Sequence, residues 1–371
     1  MELKELKKKK ILILGLGREG KSTLKFLKKN FPGKKIGTAD IKDGENYLDK
    51  LKDFDVIIKS PGIPYLSKIK EAQSKGTIIT SATNIFFDNC KGKIIGVTGT
   101  KGKSTTSSLI YEVLKEGDLN VQIVGNIGKP ALELVEENCI VVYELSSFQL
   151  ADLNKSPHIA VITNIYPDHF DWHGSFENYK KAKENIFKHQ TRKDVLIQDK
   201  SGAEAARIVG KIFKISSEKI NKAIKNFKPL PHRLEFVTEK SGVKFYNDSL
   251  ATNPHATIYG LRKLGDSVET LIAGGFDRGL NYSILSEEIN KSNIKNLILF
   301  PDTGEKIGQG VSKKIKKFNA TSMEKAVKIA YDATTPGKIV LLSPASASFN
   351  MFKNYEDRGE QFKKWVEKLG K

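Results

Sequence analysis

The sequence predicts an α/β protein of three domains: a Rossmann-like amino-terminal domain, a central domain opening on a phosphate-binding loop of P-loop type, and a Rossmann-like carboxyl-terminal domain. Three observations predict this. Strand-length apolar runs alternate with helical stretches along nearly the whole chain, the pattern of βα units. Glycine-rich loops follow such runs at 15–20, 97–105 and 274–279, and open α/β sheets place ligands at the carboxyl ends of their strands. Finally, 371 residues are too many for one ordinary core. The domains are expected at 1–91, 92–229 and 230–371.

Composition narrows the class. A hydrophobic content of 39% is ordinary for a globular chain. The longest apolar runs fall far short of the roughly 20 residues that span a bilayer, so no membrane insertion is expected. The basic start, Met1 to Lys10, leads into Ile11 to Leu14 and at once to Gly15, which leaves no signal-peptide core; a cytoplasmic chain is expected. Cys90 and Cys139 have neither paired spacing nor His neighbours and read as reduced structural thiols. A net charge of +19 raises the question of nucleic acid. Yet 55 of the 62 basic residues are lysine, spread along the chain without aromatic interleaving. That pattern fits solvated faces and a negatively charged small substrate, with no nucleic-acid partner.

In the first domain, Lys10 to Gly15 reads as a strand, Lys21 to Lys29 as a helix, and Lys35 to Asp40 and Asp55 to Lys59 as further strands. Gly15-Leu16-Gly17-Arg18-Glu19-Gly20 lies between strand and helix, and Asp40 ends the next strand, as in a dinucleotide fingerprint. Three readings stay open here: a nicotinamide cofactor, another nucleotide diphosphate, or a tight βα turn. Ser60-Pro61-Gly62-Ile63-Pro64 is a rigid loop at a strand end.

The central domain opens with Lys93 to Thr105. Gly99 and Gly102 let backbone N–H groups converge on phosphate oxygens, Lys103 supplies a point charge, and the Ser104 hydroxyl suits Mg²⁺. The usual spacing puts glycine at position 97, where this chain has Val97, so the loop is a narrower variant that selects ATP chemistry. Strands follow at Cys139 to Glu144 and Ile159 to Asn164. Glu144 is either a Mg²⁺ ligand or a solvated neighbour of a helix N-cap at Ser146 or Ser147. His169 is a metal ligand, a phosphate contact or neither, and Lys183 on a lysine-rich helix is read first as solvated. Ser217 to Phe227 reads as a surface helix and Lys228 to Pro231 as a linker.

The third domain has strands near Val243 to Tyr246, Thr270 to Ala273, Leu297 to Phe300 and Ile339 to Leu342. Arg233 follows a proline break and suits a phosphate, while Asp248 suits ribose hydroxyls; turn chemistry explains Asn247-Asp248-Ser249 equally well.

Set in order, these segments resemble the Mur ligases, and within that family the branch that adds D-glutamate. The resemblance covers most of the chain. It rests on Glu144-Leu145-Ser146-Ser147-Phe148-Gln149, on the run Leu342 to Gly359 ending Tyr355-Glu356-Asp357-Arg358-Gly359, on Gly125-Asn126-Ile127-Gly128 and on Ser60-Pro61-Gly62. It implies a ligase of peptidoglycan synthesis that uses ATP and two Mg²⁺ ions to join D-glutamate to UDP-N-acetylmuramoyl-L-alanine through an acyl phosphate, working as a monomer. By resemblance, Gly17, Arg18, Asp40, Lys42, Ser60, Asn126 and Ser146 contact the UDP-linked substrate. Gly99, Thr100, Gly102, Lys103, Ser104 and Thr105 hold ATP together with Arg233 and Asp248. Lys103, Glu144, His169 and Lys183 are catalytic, the metal ligands being Ser104, Glu144, His169 and a CO₂-derived carbamate on Lys183. Thr252, Arg278, Ser348 and Tyr355 surround D-glutamate. The chain departs from the family at Leu250, where a lysine is usual, and between Lys200 and Lys228, where relatives carry extra strands and an adenine-contacting segment. A shortened central domain is therefore expected. Two other readings remain: a ligase for another amino acid such as L-glutamate, and a non-catalytic ATP-binding scaffold.

Overall fold

A computed structural model describes residues 1–228 and 231–370, so Pro229 and Leu230 of the expected linker lie outside the described residues. Fifteen strands form three sheets among the described residues. The first sheet contains β1 (Ile11–Leu14), β2 (Gly37–Ala39), β3 (Val56–Lys59) and β4 (Ile78–Thr80), in the order β2-β1-β3-β4, all parallel. The second contains β5 (Ile94–Thr98), β6 (Val121–Gly125), β7 (Ile140–Glu144), β8 (Ile159–Ile162) and β9 (Val195–Gln198), in the parallel order β6-β7-β5-β8-β9. The third contains β10 (Glu235–Lys240), β11 (Val243–Asn247), β12 (Val268–Gly275), β13 (Asn296–Asp302), β14 (Lys316–Asn319) and β15 (Ile339–Leu342). Its order is β10-β11-β15-β12-β13-β14, parallel except for the β10/β11 hairpin. The chain gathers into two compact units, Met1–Phe227 with the first two sheets and Lys228–Lys371 with the third.

The strand sequences explain this architecture. β1, β3, β5, β8 and β15 are buried along their whole length, and such unbroken Ile, Val and Leu runs belong to parallel strands covered on both faces. The covering helices each bring one apolar stripe: Arg18–Asn30 buries Gly20, Thr23, Phe26 and Leu27. The helix Ser217–Asn226, read from sequence as a surface element, buries Ile220 and Ala223 in the core it shares with helices Lys103–Glu116 and Gly202–Ile212. The strand expected to reach Asn164 stops at Ile162, because Thr163 and Asn164 turn to hydrogen-bond the phosphate loop instead. After β9 the chain turns at once: the strand ends at Gln198, Asp199 takes φ +58°, and Ser201 already caps the helix Gly202–Ile212.

Within the first unit the two sheets are joined by a buried ion pair. Lys59, at the end of β3, lies 2.8 Å from Asp152 and donates to the Ile63 carbonyl at 2.8 Å, with the Tyr65 ring 5.0 Å and the Trp172 ring 5.8 Å from its ammonium. Both side chains are almost wholly buried. Removing one partner of such a pair strands the other charge. Lys59→Ala is therefore expected to destabilise the first unit by about 3–5 kcal/mol, and Lys59→Met combined with Asp152→Leu by far less. Chemical denaturation of the three proteins checks this; equal losses in single and double variants would contradict it.

Candidate active site

The phosphate loop is built at the carboxyl end of β5. Gly99 has φ +152°, and a Cβ there would sit 1.9 Å from Thr163 Oγ1, so only glycine fits. Gly102, at φ +82°, caps the helix Lys103–Glu116. The loop between them is pinned from the segment after β8. Thr100 N–H donates to Asn164 O at 2.7 Å and Lys101 N–H to Asn164 Oδ1 at 2.8 Å, while Thr163 Oγ1 donates to Lys101 O at 2.6 Å. The Thr100 hydroxyl also meets Tyr179 OH at 2.9 Å. Sequence reasoning missed Thr163, Asn164 and Tyr179, which support the loop from outside its motif.

Around this loop stand four of the residues singled out from sequence. Ser104 Oγ donates to Glu144 Oε1 at 3.1 Å, both residues being buried. Glu144 is thus not a solvated neighbour of a cap. The cap is real too: Ser146 accepts from Gln149 N–H, and Gln149 Oε1 reaches back to Ser146 N–H at 3.0 Å. Lys183, read first as solvated, is 1% exposed. Its ammonium donates to Gly99 O at 2.8 Å and stands 4.8 Å from the Tyr179 ring centroid. Burial, and secondarily the charge of Lys103, pushes its pKa well below the ordinary lysine value, against the pull of Asp168. Lys103 donates to the Gly99 and Thr100 carbonyls at 2.9 and 3.2 Å.

The first unit holds two cavities, the smaller of which borders Lys103 and Lys183. The smaller, about 290 Å³, is bordered by Lys103, Asn126, Ser146, His169 and Lys183, among others. His169 has φ +55°, and its ring lies 4.9 Å from that of Phe148. The side chain of the nearby Asp171 lies outside the described residues. Among the described residues no three His, Cys, Asp or Glu side chains converge as a ready metal cage. The buried Ser104–Glu144 pair at the phosphate loop supplies a hydroxyl and a carboxylate, hard oxygen donors of the kind that suit Mg²⁺.

The larger cavity, about 560 Å³, brings together Gly17, Arg18, Asp40, Ser60 and Asn126. That size suits a nucleotide. Gly20 permits the helix to approach β1, since a Cβ there would meet Gly15 O at 1.9 Å. Asp40 accepts from Leu16 N–H at 2.6 Å and Lys42 N–H at 3.2 Å, and these bonds lower its pKa. Lys42 and Ser146 do not border this cavity; Ser146 borders the smaller one.

In the second unit, Arg278 donates to Thr252 O at 3.0 Å. Asp248 accepts from Leu234 N–H at 3.2 Å and from Ser343 Oγ at 2.8 Å, so it fastens the segment following Arg233 to the end of β15. Ser348 is buried, and Tyr355 O accepts from Ser249 Oγ at 2.8 Å. The centre of this region is Arg358, given no role from sequence. Fully buried, it donates to Ser249 Oγ and O, Ser346 O and Ala347 O at 2.8–3.3 Å.

Comparison with known proteins is consistent along the whole chain. Residues 97–258 match the family model described as Mur ligase middle domain, and residues 232–346 the model described as Mur ligase, glutamate ligase domain. A UDP-N-acetylmuramoylalanine–D-glutamate ligase of Acetivibrio thermocellus is 35% identical over 459 residues, covering 99% of this chain and 98% of the relative. One from Clostridium botulinum is 36% identical over 452 residues, covering 98% of each. An alignment of 459 positions against 371 residues leaves at least 88 positions without a counterpart here. Among solved structures, the MurF ligase of Thermotoga maritima in complex with ADP has a similar fold, with a TM-score of 0.58 at 17% identity, covering 96% of this chain and 95% of its own.

Proposed function

The chain belongs to the Mur ligase family, and from that premise we propose that it joins D-glutamate to UDP-N-acetylmuramoyl-L-alanine at the expense of ATP, in the cytoplasm and as a monomer. The observation that carries the reading is the meeting of Ser104, Glu144, Lys103 and Lys183 at one glycine turn, Lys103 and Lys183 bordering a cavity that shares four residues with a nucleotide-sized one. In this reading the domains are 1–91 for the UDP-linked substrate, 92–229 for ATP, and 230–371 for glutamate together with further ATP contacts.

A carboxylate is a poor electrophile. Its oxygen attacks the γ-phosphorus of ATP, the bond to the bridging oxygen breaks, and ADP leaves. The glutamate amine then attacks the acyl carbon, phosphate departs, and the amine proton is lost as the amide forms. Backbone N–H groups of Gly102 to Thr105 and the Lys103 ammonium hold the phosphates in line, on a loop whose Thr100 and Lys101 N–H groups are tied to Asn164. Ser104, Glu144, His169 and a carbamylated Lys183 would hold Mg²⁺, which when bound would supply charge neutralisation at the transferring phosphoryl group. Arg233 and Asp248 complete the ATP site. Gly17, Arg18, Asp40, Lys42, Ser60, Asn126 and Ser146 position the UDP-linked substrate. Thr252, Arg278, Ser348 and Tyr355 receive glutamate, Arg278 facing a carboxylate.

The test is ADP release with UDP-N-acetylmuramoyl-L-alanine and Mg-ATP, adding D-glutamate, L-glutamate or neither. Release that depends on D-glutamate, with the amide product seen by mass, is the expected result. Release only with L-glutamate or another amino acid would reassign the acceptor. ATP binding without release would leave a scaffold.

A further inference from the structure

The two cavities of the first unit share four bordering residues: Glu19, Pro61, Asn126 and Gln149. On the ligase reading, the substrate's diphosphate occupies the larger space and its reacting carboxylate the smaller, so the stretch of substrate between them passes these four residues. Three of them have no charge. Glu19 is the fourth, and it has no counterpart among the roles assigned above.

Its surroundings are specific. Glu19 Oε2 accepts from Gln149 Nε2 at 3.0 Å, and Gln149 in turn holds Ser146. Glu19 Oε1 is excluded from water and has no hydrogen-bond partner among the described residues. The charged and titratable groups facing it are Lys59 on β3, already paired with Asp152, and Tyr143 on β7, whose phenol the nearby carboxyl and burial push upward. Its own helix adds Arg18, which points to the Asn126 and Gly128 carbonyls, and Lys21. Among the described residues no cation pairs directly with the carboxyl. A bare buried carboxylate oxygen is costly, and burial accordingly raises its pKa to about 7 against the pull of Gln149 and Lys59. The substrate argues in the same direction: with negative charge at both of its ends, an ionised carboxyl between them would add repulsion, whereas a neutral one offers a donor.

We propose that Glu19 is a specificity-determining residue which, in its protonated form, donates a hydrogen bond to an acceptor oxygen of the UDP-linked substrate between its diphosphate and its reacting carboxylate. The last torsion of a glutamate side chain is broad, so the carboxyl turns Oε1 to a ligand without leaving its rotamer. The inference rests on the ligase reading.

Isothermal titration of UDP-N-acetylmuramoyl-L-alanine into wild-type protein, Glu19→Gln and Glu19→Ala, without ATP, at pH 6, 7 and 8 tests it. Protonation is nearly complete at pH 6 and lost by pH 8, so wild-type Kd is expected to weaken about tenfold across that range. Glu19→Gln keeps a donor but cannot titrate, and should hold the wild-type pH 6 affinity at every pH. Glu19→Ala should be about tenfold weaker at pH 6 and insensitive to pH. A wild-type Kd that is flat, or that tightens as pH rises, overturns the proposal whatever the variants do. Absence of binding by wild-type protein at all three values sinks the ligase reading, and this inference with it.

Discussion

Lys183→Ala is expected to lower ADP release by roughly 10³-fold, with partial recovery in millimolar formate or acetate. The expectation follows from where the side chain sits. The helix Phe176–Lys188 carries Lys183 to the phosphate loop, where Gly99 O is its acceptor and its side chain is almost wholly buried. A lysine in that position is held well below its ordinary pKa by burial and by Lys103, against the pull of Asp168, which favours the neutral amine. In the proposed reading the neutral amine adds CO₂: the nitrogen–carbon bond forms, one proton leaves to solvent, and a neutral nitrogen is replaced by an anionic oxygen donor. Alanine leaves a hole of the right size for a short carboxylate to stand in for that donor. Steady-state rates with and without added formate, alongside a thermal melt showing the variant folded, decide the matter. Unchanged turnover would remove Lys183 from the metal set.

The second large effect concerns stability. Arg358→Ala should destabilise the second unit by about 3–5 kcal/mol, since a charged donor is withdrawn from several buried acceptors that water cannot reach. Burial lowers the guanidinium pKa to about 9, which still leaves it charged at neutral pH. Its acceptors lie in the segments that hold Asp248, Thr252 and Ser348. The variant is therefore also expected to raise KM for D-glutamate about tenfold. Hydrogen exchange over 246–252 and 343–352 reads the structural part, and initial rates at varied D-glutamate the functional part. Wild-type protection in those segments would show that Arg358 does not hold them.

Much of the fold was legible because buried parallel strands are written as unbroken apolar runs. Short edge strands such as β4, β9 and β14 carry weaker patterns and were not legible in the sequence, whereas β2, also at an edge, was read within Lys35 to Asp40. The phosphate loop was legible for a different reason: the glycines there answer to backbone geometry, which a sequence records directly. Side chains acting from helices were harder to place, yet they left one shared signal. Lys183 lies on the stripe Tyr179, Ala182, Lys183 and Ile186, and Arg358 on the stripe Arg358, Phe362 and Val366. Glu19 heads the stripe of Thr23, Phe26 and Leu27. In each helix a charged residue occupies a position that the 3.6-residue period assigns to the interior. Read that way, the lysine-rich surface of the helix around Lys183 would not have hidden it. The supporting residues Thr163 and Asn164 had no such signal, since a turn after a strand permits many side chains.

The parallel register of the second sheet sets a length scale for the chemistry. Val97 of β5 pairs with Glu144 of β7, one strand leading to the loop that carries Ser104 and the other ending in its carboxylate partner. These are interior strands, fixed on both sides by ladder hydrogen bonds, whereas β9 is an edge strand bonded only to β8. Sequence can thus be gained or lost beyond β9 without moving the ruler that spaces the reacting groups. The turn at Asp199–Ser201 is for the same reason a natural graft point. A segment spliced in there would leave the pairing of Val97 with Glu144, and with it the Ser104–Glu144 contact, in place.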